Sequence, residues 1–88
     1  MAASPLEVHV VAADREVWVG EASMLVARTV DGELGILAGH EPLLGVLAEG
    51  EVRIHTDGGV IVAKADNGFL SVENNTVMVV ASQAELVA

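Results

Sequence analysis

Glu33 and His40 are the side chains in this sequence whose types and spacing best fit acid–base chemistry. A carboxylate and an imidazole can work as a couple when a cleft holds them within hydrogen-bonding reach of each other and of a substrate. Both lie in the stretch Gly32–Leu44, which holds three glycines and one proline. The same two residues would equally decorate an exposed corner, and a docking contact suits them better, because loops held by a rigid sheet are where binding residues concentrate. Other candidates fall away on spacing. His9 and His55 stand on the polar faces of alternating segments with no HxH or HExxH pattern, so neither has the partners a metal site needs. The chain has no cysteine, which removes thiolate sites and disulfides. Ser4, Ser23, Ser71 and Ser82 lack a nucleophile elbow. Gly32, Gly35 and Gly39 precede no Gly-Lys-Ser/Thr and open no helix, so they serve turns and not a phosphate loop. No catalytic, metal-binding or cofactor-binding residue is assigned. Trp18, the sole tryptophan, is expected to pack at a core or sheet edge, with interface use as the second option.

The elements that carry these residues read as short strands. Leu6, Val8 and Val10 alternate with Glu7 and His9, the pattern of a half-buried strand. Residues 16–20 form a second strand and 22–30 a longer mixed run. Asp31-Gly32 is a strong hairpin signal, followed by a strand over 34–37. Ala38 to Glu41 make a corner, and Pro42 restarts the chain towards Leu47. Val52, Ile54 and Thr56 alternate cleanly. Asp57-Gly58-Gly59, Asn67-Gly68 and Asn74-Asn75 then read as turns separating strands over 60–63, 69–72 and 77–80, with 84–88 a last strand or a frayed end. Residues 1–5 read as a loose tail. Turn signals at this spacing predict an all-β fold, a flattened antiparallel sandwich of about ten short strands, in a single domain over 1–88.

Composition narrows the function. The 88 residues are 52% hydrophobic but only 2% aromatic, so the core must be aliphatic. Thirteen acidic residues against four basic ones give a formal net charge of -9. That excludes nucleic acid as an expected partner, since phosphate neutralisation needs clustered Lys and Arg, and it disfavours anionic lipid. No apolar run approaches the roughly 20 residues of a membrane helix, and residues 1–5 do not resemble a signal peptide. Leu43-Leu44, Val46-Leu47 and Val79-Val80 place apolar side chains in both strand orientations. A thin sandwich cannot bury all of them, and an exposed apolar patch on a small domain marks a protein interface. Two classes therefore remain: a subunit that docks on a protein, and a small ligand-binding module or minor enzyme that would enclose Glu33 and His40 in a pocket.

The residues also carry a family likeness. Gly32-Glu33-Leu34-Gly35-Ile36-Leu37-x-Gly39-His40-x-Pro42-Leu43-Leu44 resembles the signature of the epsilon subunit of bacterial F-type ATP synthases. Val8-His9-Val10-Val11-Ala12-x-Asp14-Arg15-x-Val17-Trp18-x-Gly20 resembles that family's opening hairpin, and Leu47-x-x-Gly50-x-Val52-Arg53 its next segment. Gly68-Phe69-Leu70-x-Val72-x-x-Asn75, running to Val79-Val80-Ala81, resembles its closing hairpin. The resemblance implies a ten-stranded sandwich at the foot of a central rotary stalk, one copy per complex, on the cytoplasmic face of the membrane. Its partners would be the gamma subunit and the c-ring, with no chemistry of its own and no insertion into the membrane. It implies c-ring contacts at Glu33 and His40 and gamma contacts at Leu44 and Val79. Two departures stand out. Ala38 replaces the usual proline, and the sequence stops at Ala88, where most relatives continue into two helices that carry ATPase inhibition and, in some, ATP binding. Neither property transfers to these residues.

Overall fold

A computed structural model describes residues 5–87. Residues 1–4, most of the expected tail, and residue 88 lie outside the described residues. Eight strands follow in order: β1 (Leu6–Ala12), β2 (Arg15–Ala22), β3 (Met24–Thr29), β4 (Gly32–Leu37), β5 (Leu43–Leu47), β6 (Gly50–Thr56), β7 (Gly59–Glu73) and β8 (Thr76–Leu86). The described residues contain no helix. The strands are layered as a sandwich. One layer runs β2-β1-β8-β7-β5, and the other is built from β8, β7, β6, β3 and β4, with β2 and β4 as free edges.

The two layers share strands, and this explains why eight are present where ten were expected. The first half of β7 pairs with β6 and its second half with β5, while β8 accompanies it throughout. The crossing point is Asn67-Gly68, read above as a turn. Asn67 does take the left-handed conformation, at φ 54°, but the chain kinks there and continues. Pairing resumes from Asp66↔Gln83 to Gly68↔Ala81 with no change of register. Gly68 is required by space: a β-carbon on it would stand 1.9 Å from the Val80 carbonyl oxygen and 2.6 Å from the Ala81 Cα. The segment 84–88, left open between two readings, is the end of β8 as far as Leu86.

The expected antiparallel pairing holds with one exception. β1 lies parallel to β8, from Glu7↔Thr76 to Val11↔Val80. Parallel neighbours need a long crossover, and here the chain between them, which builds the second layer, provides it. Local turn chemistry follows the sequence closely. Asn74 and Asn75 both have positive φ, 50° and 61°, the backbone of a type I′ hairpin. The β3–β4 and β6–β7 hairpins repeat one device: the Thr29 hydroxyl donates to the Gly32 carbonyl, and the Thr56 hydroxyl to that of Gly59, each at 2.9 Å. In the first hairpin the loop residues are Val30 and Asp31, one position earlier than expected, since Gly32 already pairs with Thr29.

Alternation decides the core. Leu6, Val8 and Val10 meet Leu25, Ala27, Ile36, Val52, Ile54, Leu70, Val72, Val77 and Val79, all buried. Burying an aliphatic side chain of this size stabilises by about 1.5–3 kcal/mol, which is how so few aromatics suffice. Trp18 packs against this core from β2, its ring lying across Gly20, where a β-carbon would come within 2.7 Å of it.

Candidate docking surface

β4 carries Glu33 and leads into the corner that holds His40. Glu33 stands near its start, exposed, opposite Arg28 of β3. His40 follows its other end, half-buried in the corner, where its backbone N–H donates to the Leu37 carbonyl at 3.1 Å and its Nδ1 to the Glu41 carbonyl at 2.7 Å. Extended strand rises about 3.3 Å per residue, so Glu33 and Leu37 alone are roughly 13 Å apart. The structure does not bring Glu33 and His40 together, so these two form no acid–base couple. An open cleft of about 770 Å³ lies elsewhere, lined by Ala12, Arg15, Gly50, Ala65 and Ala84 among others, and contains neither residue. Among the described residues no cluster of three or more His, Asp or Glu could hold a metal ion.

The corner itself is held from outside. The Gly39 N–H donates to the Asn75 side-chain oxygen at 2.7 Å, which fastens it to the β7–β8 hairpin. Gly39 has φ 87°, a conformation that suits glycine.

Leu44 is 72% exposed on β5. Val79 is not: it is 0% exposed, inside the core. On β8 the odd positions 77, 79 and 81 point inward, so the outward residues are Met78 and Val80. The expected surface contact by the Val79 side chain does not fit this burial, since alternation turns it into the core.

The register shows what surrounds Leu44. Reading across the first layer, one row is Val19–His9–Met78–Ser71–Leu44 and the next is Glu16–Val11–Val80–Phe69–Val46. All ten side chains point away from the core, and Val46 and Phe69 are directly opposed, 57% and 46% exposed. A third row, Glu21–Glu7–Thr76–Glu73, borders them. His9 Nε2 donates to Glu7 Oε2 at 2.9 Å. Phe69 was missed as a surface residue by sequence reasoning, although its alternation with Leu70 and Val72 was available as a signal.

The second layer presents a different face. Glu33 opposes Arg28, and Glu51, Lys64 and Glu85 lie in one row. Arg53 lies 3.8 Å from Glu51. Charges of both signs are interleaved there: Glu33, Glu51, Asp66 and Glu85 with Arg28, Arg53 and Lys64.

A small all-β sandwich that exposes Leu44, Val46 and Phe69 on one outer face has the geometry of a domain that docks on a protein. Residues 5–87 match the family model described as ATP synthase, Delta/Epsilon chain, beta-sandwich domain, and the chain belongs to that family. It is 53% identical to the ATP synthase epsilon chain of Streptomyces coelicolor, over 96% of this chain and 68% of that one. It is 51% identical to the epsilon chain of Frankia casuarinae, over 93% of this chain and 98% of that one. The Micrococcus luteus epsilon chain is 49% identical, with 92% and 90% covered. The fold matches a chain in the cryo-EM structure of Euglena gracilis mitochondrial ATP synthase, OSCP/F1/c-ring, with TM-score 0.88 and 23% identity, covering 98% of this chain and 56% of that one. As a subunit of ATP synthase it is part of a membrane-associated complex, while no helix of the described residues is long and apolar enough to cross a membrane.

Proposed function

We propose that this chain is the non-catalytic central-stalk subunit that couples rotation of the c-ring to the gamma subunit on the cytoplasmic face of the membrane, one copy per complex and acting as one domain. The observation that carries this reading is the exposed apolar face around Leu44 on a fold of the epsilon type. Leu44 contacts gamma, while Val79, in the core row Val10–Val79–Leu70, supports the same layer from within. Glu33 and His40, at opposite ends of the edge strand β4, contact the c-ring at two separated points along one border of the sandwich. No cofactor is required for this role, which is to hold ring and stalk together so that torque passes without slip. The separation of Glu33 from His40 counts against an enzyme or ligand-binding module that would enclose both in one pocket.

Co-expression with the gamma subunit of the same complex tests the reading. The two should co-elute through affinity capture and size exclusion. A chain that folds, yet never associates with gamma under native conditions, would sink it.

A further inference from the structure

His40 meets a partner only as well as its corner is placed. Residues 38–42 leave β4 after Leu37, which pairs with Met24 in the second layer, and enter β5 at Leu43, which pairs with Val72 in the first. The corner therefore bridges the layers, outside the strand ladders. Within it His40 is held by near neighbours: its backbone N–H donates to the Leu37 carbonyl and its Nδ1 to the Glu41 carbonyl. These bonds orient the imidazole on the corner, and they leave the place of the corner on the sandwich unset.

One bond sets it. Among the described residues, the Gly39 N–H to Asn75 Oδ1 bond, at 2.7 Å, is the hydrogen bond that ties residues 38–42 to an element not adjoining them in sequence. Asn75 is itself fixed by two elements. Its φ of 61° belongs to the type I′ turn between β7 and β8. Its carbonyl accepts the Glu7 N–H at 2.8 Å, where the parallel β1–β8 pairing begins. It is half-buried, whereas Asn74 beside it in the turn is exposed. A hydrogen bond of this kind, net of competition from water, shifts the ratio of held to released corner by about fivefold. Glu33 needs no such device, since it lies within β4 and pairs with Arg28.

We propose that Asn75 is a positioning residue for the c-ring contact: it fixes the His40 corner against the first layer, so that load taken at His40 enters the β7–β8 hairpin and β1. The inference rests on the reading above that His40 meets the ring. Asn75 acts through Gly39, the residue before His40, and not by touching the ring.

The test is ATP-driven proton pumping per ATP hydrolysed in the reconstituted complex carrying the full chain, with capture by gamma as the control. Asn75→Gly makes the turn Asn-Gly, a favoured type I′ pair, so the hairpin is kept and the acceptor is lost. Pumping per ATP should fall about two- to fivefold, with capture by gamma unchanged. Asn75→Asp, which keeps an acceptor oxygen and tolerates positive φ, should restore most of it. Asn74→Gly, which alters the same turn and not the bond, should pump as the unmodified chain does. Because Asn75 acts through the His40 corner, Asn75→Gly should add little to the defect of His40→Ala, yet add fully to that of Glu33→Gln. Thermal melts check that each variant is folded. Full pumping in Asn75→Gly while His40→Ala is defective would overturn the positioning role and leave the ring contact standing. An equal loss in Asn74→Gly, or no rescue by Asn75→Asp, would overturn it as well, marking a general need for the hairpin. Full pumping in His40→Ala would overturn the ring contact at that residue, and this inference with it.

Discussion

The side-chain oxygen of Asn75 accepts the Gly39 N–H at 2.7 Å, joining a corner and a hairpin that are 36 residues apart in sequence. Asn75 therefore does two things: it takes the positive φ that the β7–β8 turn needs, and it fastens the corner bearing His40. Substitution can separate them. Asn75→Gly keeps the backbone conformation and loses the bond, at about 0.5–1.5 kcal/mol. Asn75→Ala loses both and should cost about 1 kcal/mol more. Urea unfolding of the two variants checks the order, and amide exchange at Gly39 should quicken in both.

Gly68→Ala should be among the most damaging single-methyl additions in the chain. The methyl would enter the backbone of β8 at Val80 and Ala81, and backbone in mid-sheet cannot step aside as a side-chain tip can. Overpacking typically costs 1–3 kcal/mol, and a backbone clash lies at or above the upper end, about 3 kcal/mol. A calorimetric melt tests this; a shift of only a few degrees would mean that β8 yields more easily than its pairing suggests.

Val79 and Leu44 should separate stability from assembly. Val79→Ala removes two buried methyl groups and should cost about 2 kcal/mol, lowering the melting temperature by roughly 10 °C. Leu44→Ala, on an exposed side chain, should stay within about 0.5 kcal/mol yet weaken capture by gamma. The same two assays read both variants.

Glu33→Gln and His40→Ala should each leave folding within about 0.5 kcal/mol, the usual range for surface positions, while reducing coupling of ATP hydrolysis to proton pumping in the reconstituted complex. His40→Ala loses the one side-chain bond, from Nδ1 to the Glu41 carbonyl, so its melt should shift more than that of Glu33. A large loss of stability in His40→Ala with coupling intact would make it a structural residue.

The alternating strands were legible because each short segment shows one face to the core and one to water, as Leu6, Val8 and Val10 do against Glu7 and His9. Hairpins whose turn residues take positive φ, such as Asn74-Asn75, were equally legible. Asn67-Gly68 misled because the same local conformation that turns a chain can also kink it. Which occurs depends on the strand alongside, and only pairing with β8 shows that the glycine is there for close approach. The parallel β1–β8 contact was hidden for a similar reason, since it joins segments at the two ends of the sequence. At the site, local pattern identified an apolar excess near Leu44 and Val80. It could not show that Val46 and Phe69 face each other, or that all four basic residues avoid their face, because both follow from register across strands distant in sequence.

β7 and β8 each run through both layers without a break. In an ordinary sandwich the two sheets meet through side chains alone, and a sideways pull on one is resisted by packing and by loops. Here two adjacent backbones cross from sheet to sheet, hydrogen-bonded to each other along most of their length. A tangential load on the face around Phe69 is therefore carried as tension along covalent chain into the layer that bears Glu33. The domain behaves as a stiff coupling between its two surfaces, and its weakest direction is peeling at the free edges, not sliding of one layer over the other.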